Sequence, residues 1–260
     1  MFTLSDLAQA KDKQDKLSVL TCYDYAFAKI LSDAQIDIQL VGDSLGMVVL
    51  GYENTQQVTM PDMIRHTQAV ARGNRYSLIM PDLPFNSYQI PKQALVNARL
   101  LLEAGGHLVK VEGGQTIRPI LEAYHKHAIP YCGHVGLTPQ TIPSFKVQGR
   151  EQASAARILA DAKLLQELGA RAIVLECIPA DLAAQITAEL TIPTIGIGAG
   201  SGTDGQVLVL YDLLGLFTDF KPKFVKQYAQ LAEQVQQACQ QYSQEVKQGN
   251  FPNKEQSFGK

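Results

Sequence analysis

The sequence has no excess of either charge. Its 23 lysines and arginines stand against 25 aspartates and glutamates, which gives a formal net charge of -2 at pH 7. No run of basic residues supplies the positive field that attracts a nucleic-acid backbone or an anionic lipid surface. Apolar stretches near the roughly 18 residues of a membrane span are also missing, as is a basic N-terminus followed by an apolar segment. We therefore expect a cytoplasmic protein with no nucleic-acid or membrane partner.

Cysteine is scarce and irregularly spaced. The chain has Cys22, Cys132, Cys177 and Cys239, with no CxxC pair, and three of the four lie within apolar runs. This spacing provides neither a disulfide framework nor a zinc cluster. We expect reduced thiols that are buried for structural reasons.

Linkers and low-complexity segments are missing before the C-terminal tail, so we predict one domain over residues 1–260. Eight short apolar runs alternate with longer amphipathic stretches; the runs are 17–24, 36–44, 76–82, 107–113, 130–136, 171–177, 192–200 and 206–212. Alternation of this kind indicates a parallel sheet covered by helices. Eight units favour an α/β fold of the (β/α)8 TIM barrel type over an open doubly wound sheet. The eighth run is the weakest, because its pattern is partly helical.

Several helix ends are marked in the sequence. The segment "TMPD" at 59–62 is a capping-box signature, and Pro91 is placed to begin another helix. Residues 43–59 have the pattern of an elaborated loop or small hairpin after the second strand. Beyond Pro222 an apolar pattern predicts a C-terminal helix, which a short polar tail follows from Gly249.

Polar residues end most of the predicted strands. In barrel enzymes the carboxyl ends of the strands carry the chemistry, and in this chain they hold Asp43, Ser44, Asp82, Lys110, Glu112, His134 and Glu176. In "VKVE" Lys110 and Glu112 lie two residues apart, so their side chains project from the same face of the strand. A single aspartate after a strand often caps a helix or a turn. Four acids, a lysine and a histidine on one rim favour an active site.

Asp43, Asp82 and Glu112 follow or end consecutive strands, so we expect their carboxylates to converge. Their mutual repulsion would destabilise the fold unless a cation neutralised it. Hard oxygen donors favour Mg²⁺, which keeps several water ligands in proteins. Lys110 beside this cluster either holds a substrate carboxylate or forms a salt bridge with Glu112.

Two further residues are candidates for proton transfer. Glu176 ends the apolar run "AIVLE", and burial there would raise the pKa of its carboxyl group towards a value suited to a general base. Its alternative role is a structural ion pair with another residue at the same end of the barrel. His134 either donates a hydrogen bond to a substrate or satisfies neighbouring backbone carbonyls.

Two motifs do not carry their usual functions. The string Gly-Asp-Ser-Leu in "VGDSLG" is typical of a hydrolase family with a nucleophilic serine, but that chemistry needs a late histidine, and no histidine follows His134. The segment "GIGAG" lacks the spacing of a dinucleotide-binding turn and lies near the seventh strand. It is better suited to a close approach of the backbone to a ligand.

Segments in order along nearly the whole chain resemble the ketopantoate hydroxymethyltransferase family. They are "TCYDYAFAKI", "LVGDSLGMVVLGYENT", "DLPF", "VKVEGG", "CGHVGLTPQ", "KVQGR", "LECIP", "IGIGAG" and "TDGQVLVLYDLLGLF". The resemblance implies a (β/α)8 barrel of the phosphoenolpyruvate/pyruvate superfamily that acts in pantothenate biosynthesis. It also implies Mg²⁺ as cofactor and a homo-oligomer, typically a decamer built as a pentamer of dimers.

The same resemblance implies a reaction and a set of site residues. Such enzymes transfer a hydroxymethyl group from the co-substrate 5,10-methylenetetrahydrofolate to the oxo acid 3-methyl-2-oxobutanoate, which gives 2-dehydropantoate. By motif, the metal positions are Asp43, Asp82 and, through the water shell, Glu112; the substrate positions are Asp43, Ser44, Asp82 and Lys110; the proton acceptor is Glu176. Between Thr138 and Lys146 the chain departs from the family, because many members have a longer loop there.

Two other functions are consistent with these residues. Another member of the superfamily, a Mg²⁺-dependent C–C lyase or carboxylation-type enzyme, would use the same metal chemistry. Those enzymes usually place a cysteine or an extra base on a mobile loop, and the sequence offers no candidate for it. A barrel that only senses an organic acid would bind without turnover.

Overall fold

The computed structural model describes residues 1–141, 146–219 and 221–259. The chain divides into two compact units, Met1–Val209 and Leu210–Lys260. All of the strands within the described residues lie in the first unit. One domain over residues 1–260 stays a prediction.

Each of the eight predicted apolar runs overlaps a strand. The strands are β1 Leu17–Thr21, β2 Ile38–Val41, β3 Leu78–Pro81, β4 Val109–Glu112, β5 Tyr131–Gly136, β6 Ala172–Glu176, β7 Thr194–Ile197 and β8 Gly205–Leu208. Every residue of β2, β3 and β4 is buried. Because both faces of a parallel sheet are covered, β2 and β3 are mainly apolar, whereas β4 buries Lys110 and Glu112.

Helices connect the strands and follow them. They are α1 Leu4–Lys13, α2 Tyr25–Asp33, α3 Leu45–Val48, α4 Met60–Gly73, α5 Pro91–Glu103, α6 Arg118–Lys126, α7 Gln152–Glu167, α8 Ala180–Glu189, α9 Leu210–Leu213 and α10 Leu231–Lys247. The predicted capping box at 59–62 is confirmed: the Thr59 side chain accepts from the N–H of Asp62, and the Asp62 carboxylate accepts from the N–H of Thr59. Pro91 begins α5 as predicted. Residues 43–59 contain α3 and a 3₁₀ turn at Thr55–Gln57 in place of the hairpin considered from the sequence.

The strands form a barrel. All strand pairs are parallel, in the order β3-β2-β1-β8-β7-β6-β5-β4. The two ends of this order also meet, because His107 N donates to Ile79 O at 2.8 Å and Leu83 N donates to Lys110 O at 3.0 Å. The predicted (β/α)8 barrel is confirmed.

Apolar side chains fill the amino end of the barrel. Helix α1 begins with a capping box between Thr3 and Asp6, and its residues Leu7 and Ala10 pack into one cluster with the first residues of several strands, among them Leu17. Burying one such aliphatic side chain stabilises the fold by about 1.5–3 kcal/mol. The buried charged side chains Asp43, Asp82 and Glu112 lie at the opposite end, where the strands terminate.

The second unit contains α9 and α10, and the predicted C-terminal helix is confirmed. Because β8 ends at Leu208 and α9 begins at Leu210, the mixed pattern of the eighth run is also explained. No residue of α10 is buried. Within the described part of the chain, every helix is too short or too polar to cross a membrane.

The cysteines are free, but their burial differs from the expectation. Cys22 and Cys132 are buried, Cys177 is partly buried, and Cys239 is exposed. Uniform burial was wrong for Cys239 because it lies on α10, which buries none of its side chains.

Candidate active site

Five titratable side chains are buried where β2 to β5 end. Asp43, Asp82, Lys110, Glu112 and His134 each expose at most 6% of their surface. Asp43 and Asp82 follow β2 and β3, the next two belong to β4, and His134 belongs to β5. Several kcal/mol are needed to bury each unpaired charge, so the contacts between these groups determine whether the site is stable.

Asp43 and Asp82 are joined through the backbone. The N–H of Asp43 donates to Oδ2 of Asp82 at 3.0 Å. Burial raises the pKa of Asp43 well above its ordinary value, and the carboxylates of Asp82 and Glu112 raise it further. Burial also raises the pKa of Asp82, although Lys110 acts in the opposite direction. The two aspartates therefore require nearby positive charge to ionise together.

Lys110 supplies one positive charge inside the cluster. Its Nζ lies 3.2 Å from Oδ1 of Asp82 and 3.8 Å from Oε1 of Glu112. The salt bridge with Glu112 considered from the sequence is thus present, but the contact with Asp82 is shorter. Burial lowers the pKa of Lys110, yet the neighbouring carboxylates outweigh burial and raise it overall. Lys110 stays charged in this surrounding.

His134 lies between two glutamates. Its Nδ1 is 3.3 Å from Oε1 of Glu112, and its Nε2 is 3.2 Å from Oε2 of Glu176. The Glu176 side chain is 15% exposed, so this carboxylate is open to the barrel mouth and less buried than its apolar strand suggested. These two neighbours were not predicted from the sequence, and the donation of a hydrogen bond from His134 to a substrate stays a prediction.

Ser44 is hydrogen-bonded to a residue that follows β1. Its Oγ lies 2.9 Å from the hydroxyl oxygen of Tyr23, and either group can donate. Tyr23 follows β1 and is buried. Ser44 is thus linked to the end of β1, and its contact with a substrate stays a prediction.

Two residues of this network were missed in the sequence. Gln140 is 1% exposed and donates from Nε2 to Oδ2 of Asp43 at 2.8 Å. Tyr88 donates its hydroxyl hydrogen to Oε1 of Gln140 at 2.5 Å. Both are uncharged and lie in loops. The only signal for Gln140 was its place in the segment "CGHVGLTPQ", which gives no role for the side chain.

The carboxylates have the donor chemistry of a site for a hard divalent cation. Among residues 1–141, 146–219 and 221–259, no three Asp, Glu, His or Cys side chains are gathered closely enough to hold a metal ion together. Asp43 and Asp82 instead fit a site with few protein ligands and several waters, which is the usual arrangement for Mg²⁺. Their raised pKa values fit as well, because a cation would favour the ionised forms.

A cavity of about 540 Å³ opens beside this cluster. Of the five buried titratable side chains only Glu112 lines it, together with Tyr88, Gly114, Gln140 and Asp161. This volume lies within the range of ordinary small-molecule sites. Residues 142–145 of the shortened loop lie outside the described residues, so the predicted effect of that loop on ligand contact stays a prediction.

Comparison with known sequences identifies close relatives. A model of the family "Ketopantoate hydroxymethyltransferase" matches residues 1–254. The 3-methyl-2-oxobutanoate hydroxymethyltransferase of Syntrophus aciditrophicus (strain SB) is 52% identical over 261 residues, which cover 98% of this chain and 96% of the relative. The enzyme of the same name from Moorella thermoacetica is also 52% identical, with 98% and 97% covered.

Solved structures with the same fold are far less similar in sequence. Phosphoenolpyruvate phosphomutase from Streptomyces platensis subsp. rosaceus superposes with a TM-score of 0.66 at 11% identity, covering 99% of this chain and 92% of that protein. 2,3-Dimethylmalate lyase, a member of the PEP mutase/isocitrate lyase superfamily, gives a TM-score of 0.61 at 15% identity, with 99% and 92% covered. At these identities the likeness supports the barrel fold alone.

Proposed function

Because the chain belongs to the ketopantoate hydroxymethyltransferase family, we propose that it converts 3-methyl-2-oxobutanoate to 2-dehydropantoate in pantothenate biosynthesis. The hydroxymethyl group is formed from the one-carbon unit of 5,10-methylenetetrahydrofolate and the oxygen of water, and tetrahydrofolate is released. The observation that carries this proposal is the buried Asp43–Asp82–Lys110–Glu112 cluster, which faces Glu176 across His134.

In this proposal Asp43 and Asp82 hold Mg²⁺, and Glu112 reaches it through water. When bound, the cation supplies a Lewis acid that polarises the keto group of the substrate. The chain's own residues then position and deprotonate the oxo acid. Their tasks follow from where their side chains lie.

Lys110 and Ser44 bind the substrate carboxylate. Lys110 stays charged because Asp82 and Glu112 surround it, and the partly buried Ser44 offers a hydroxyl group from the β1 side. Two contacts to one carboxylate fix the direction of the C3–H bond. Such orientation removes much of the entropy that the reaction must otherwise lose in its transition state.

Glu176 accepts the proton from C3. Its partial exposure gives it access to a ligand, and Nε2 of His134 lies 3.2 Å from its Oε2. The electron pair of the C–H bond becomes the enolate, whose C3 then forms the new bond to the one-carbon unit. General-base catalysis of this kind typically contributes about 10²–10⁴ in rate.

The direct test is an assay of folate-dependent loss of 3-methyl-2-oxobutanoate. We expect turnover with Mg²⁺ and 5,10-methylenetetrahydrofolate, and none when either is omitted. Binding of the oxo acid without turnover would support the sensor instead. The lyase alternative has less support, because its structural relatives are at most 15% identical among those compared, whereas the hydroxymethyltransferases reach 52%.

We also propose a cytoplasmic homodecamer, built as a pentamer of dimers. The resemblance to the family supports this assembly. Exposed apolar side chains in the second unit, such as Tyr228, Val235 and Tyr242, provide surface that association would cover. Light scattering should report a particle far larger than the 28.4 kDa chain, and a monomer at micromolar concentration would contradict the proposal.

A further inference from the structure

Gln140 occupies the centre of the buried polar network although it carries no charge. Its side-chain Nε2 donates to Oδ2 of Asp43 at 2.8 Å and to the carbonyl oxygen of Leu83 at 2.9 Å. Its backbone N–H donates to Oε2 of Glu112 at 3.1 Å. One residue of the loop after β5 thus holds two carboxylates that come from β2 and β4.

The three carboxylates of the cluster share one arrangement. In each, one oxygen accepts a hydrogen bond from an N–H group: Gln140 donates to Asp43 and Glu112, and the backbone of Asp43 donates to Asp82. The other oxygens of Asp82 and Glu112 face Lys110. Within the described residues no donor reaches Oδ1 of Asp43. An N–H group thus holds one oxygen of each carboxylate, while the second oxygen of Glu112 also lies 3.3 Å from Nδ1 of His134.

Gln140 is itself fixed from two sides. The hydroxyl group of Tyr88 donates to its Oε1, and Nε2 of Gln56 donates to its carbonyl oxygen at 2.9 Å. A flipped amide would place its oxygen against the Asp43 carboxylate and the Leu83 carbonyl, where only acceptors stand. The hydrogen bonds thus determine which end of the amide faces Asp43.

We propose that Gln140 is a positioning residue for the cation site, where its two N–H groups orient Asp43 and Glu112 so that their remaining oxygens face a divalent cation or its waters. The inference rests on the proposed function, which requires that cation. Carboxylates that are already oriented lose less rotational freedom when they bind the ion. Groups that orient metal ligands typically change metal affinity by about 10–100-fold.

The test is the affinity for Mn²⁺, used in place of Mg²⁺ because its free form is quantified by electron paramagnetic resonance. Gln140→Met keeps the length of the side chain and the backbone N–H but removes the amide. We expect the Kd for Mn²⁺ to rise about 10-fold or more. Tyr88→Phe releases the amide without removing it, so it should raise the Kd in the same direction by a smaller factor, and it serves if the first variant does not fold.

Gln9→Met is the matched control. It makes the same substitution at an exposed position of α1, where the Gln9 amide donates to Oγ of Ser5. Its Kd should equal that of the wild type. An unchanged Kd in Gln140→Met, or an equal rise in Gln140→Met and Gln9→Met, would overturn the positioning role.

Turnover of the wild type, measured in the same preparation, separates this inference from the proposed function. If the wild type turns over and binds Mn²⁺ while Gln140→Met binds it equally well, only the role of Gln140 fails. If the wild type neither binds Mn²⁺ nor turns over, the proposed function fails together with this inference.

Discussion

Nε2 of His134 lies 3.2 Å from Oε2 of Glu176, while Nδ1 of the same ring lies 3.3 Å from Oε1 of Glu112. Burial lowers the pKa of His134, and so does Lys110, but the two glutamates outweigh both and raise it to about 9. At neutral pH the ring is therefore protonated, and its positive charge lies between the two carboxylates. One imidazole thus connects the proposed base with the proposed cation site.

Replacing the proposed base should stop proton transfer and leave binding intact. Glu176→Gln keeps the shape of the side chain but accepts no proton at neutral pH. With Mg²⁺ and without folate, exchange of the C3 hydrogen of 3-methyl-2-oxobutanoate for deuterium should fall by about 10²–10⁴. NMR in heavy water follows this exchange, and calorimetry checks that the oxo acid still binds. Exchange at the wild-type rate would assign the deprotonation to another group, with His134 the nearest.

The histidine should make the stability of the metal-free protein depend on pH. Because folding raises the pKa of His134 from about 6.5 to about 9, its stabilising contribution is complete below pH 6.5 and is lost as the pH rises through 9. Urea unfolding across this range should show that decline in the wild type and a flatter profile in His134→Gln. The exposed His127 offers a control, since His127→Gln should keep the wild-type profile. Equal slopes in wild type and His134→Gln would refute the assignment.

Loss of the buried lysine should affect stability and substrate binding together. Lys110→Met leaves Asp82 and Glu112 without their shared cation, so the free energy of unfolding of the metal-free protein should fall by about 3–5 kcal/mol. With saturating folate, KM should rise more than kcat falls if Lys110 binds the substrate carboxylate equally in ground and transition states. A loss in kcat alone would place Lys110 at the reacting oxygen.

A surface lysine provides the comparison for that stability measurement. Lys163 pairs with Glu189 at 2.5 Å, but its side chain is 52% exposed. Exposed pairs contribute about 0–1 kcal/mol, so Lys163→Met should change the free energy of unfolding little. A similar loss in the free energy of unfolding of both variants would show that burial does not increase the contribution of Lys110 to stability.

Removing the charge of Asp43 should stabilise the metal-free protein and abolish metal binding. Burial raises the pKa of Asp43 well above its ordinary value of 3.8, so its ionisation in the folded protein opposes folding as the pH rises. Asp43→Asn should therefore stabilise the metal-free protein at neutral pH, with the gain vanishing in acid, and should abolish Mn²⁺ binding. Urea unfolding measures the stability, and electron paramagnetic resonance measures the binding of Mn²⁺. Asp12→Asn, at an exposed position of α1, should change neither, and unchanged Mn²⁺ affinity in Asp43→Asn would remove this ligand.

The local pattern was sufficient to locate the strands and most helix ends. The apolar runs, the capping box at 59–62 and Pro91 each act within a few residues, so their consequences appear in the sequence itself. The segment 43–59 was harder, because a short helix and a loop differ little in local pattern. The burial of Cys239 could not be predicted, because it depends on whether another surface covers α10, which no local pattern specifies.

The sequence by itself determined which charged groups stand at the strand ends, since the position of a residue along a parallel strand fixes the end of the barrel that it reaches. Only the tertiary structure decided how those groups pair. Lys110 contacts Asp82, His134 lies between two glutamates, and Gln140 donates a hydrogen bond to Asp43. Each of these contacts joins residues from different strands or loops. Such pairs depend on ångström distances set by barrel closure and loop packing, which the order of residues along the chain does not state.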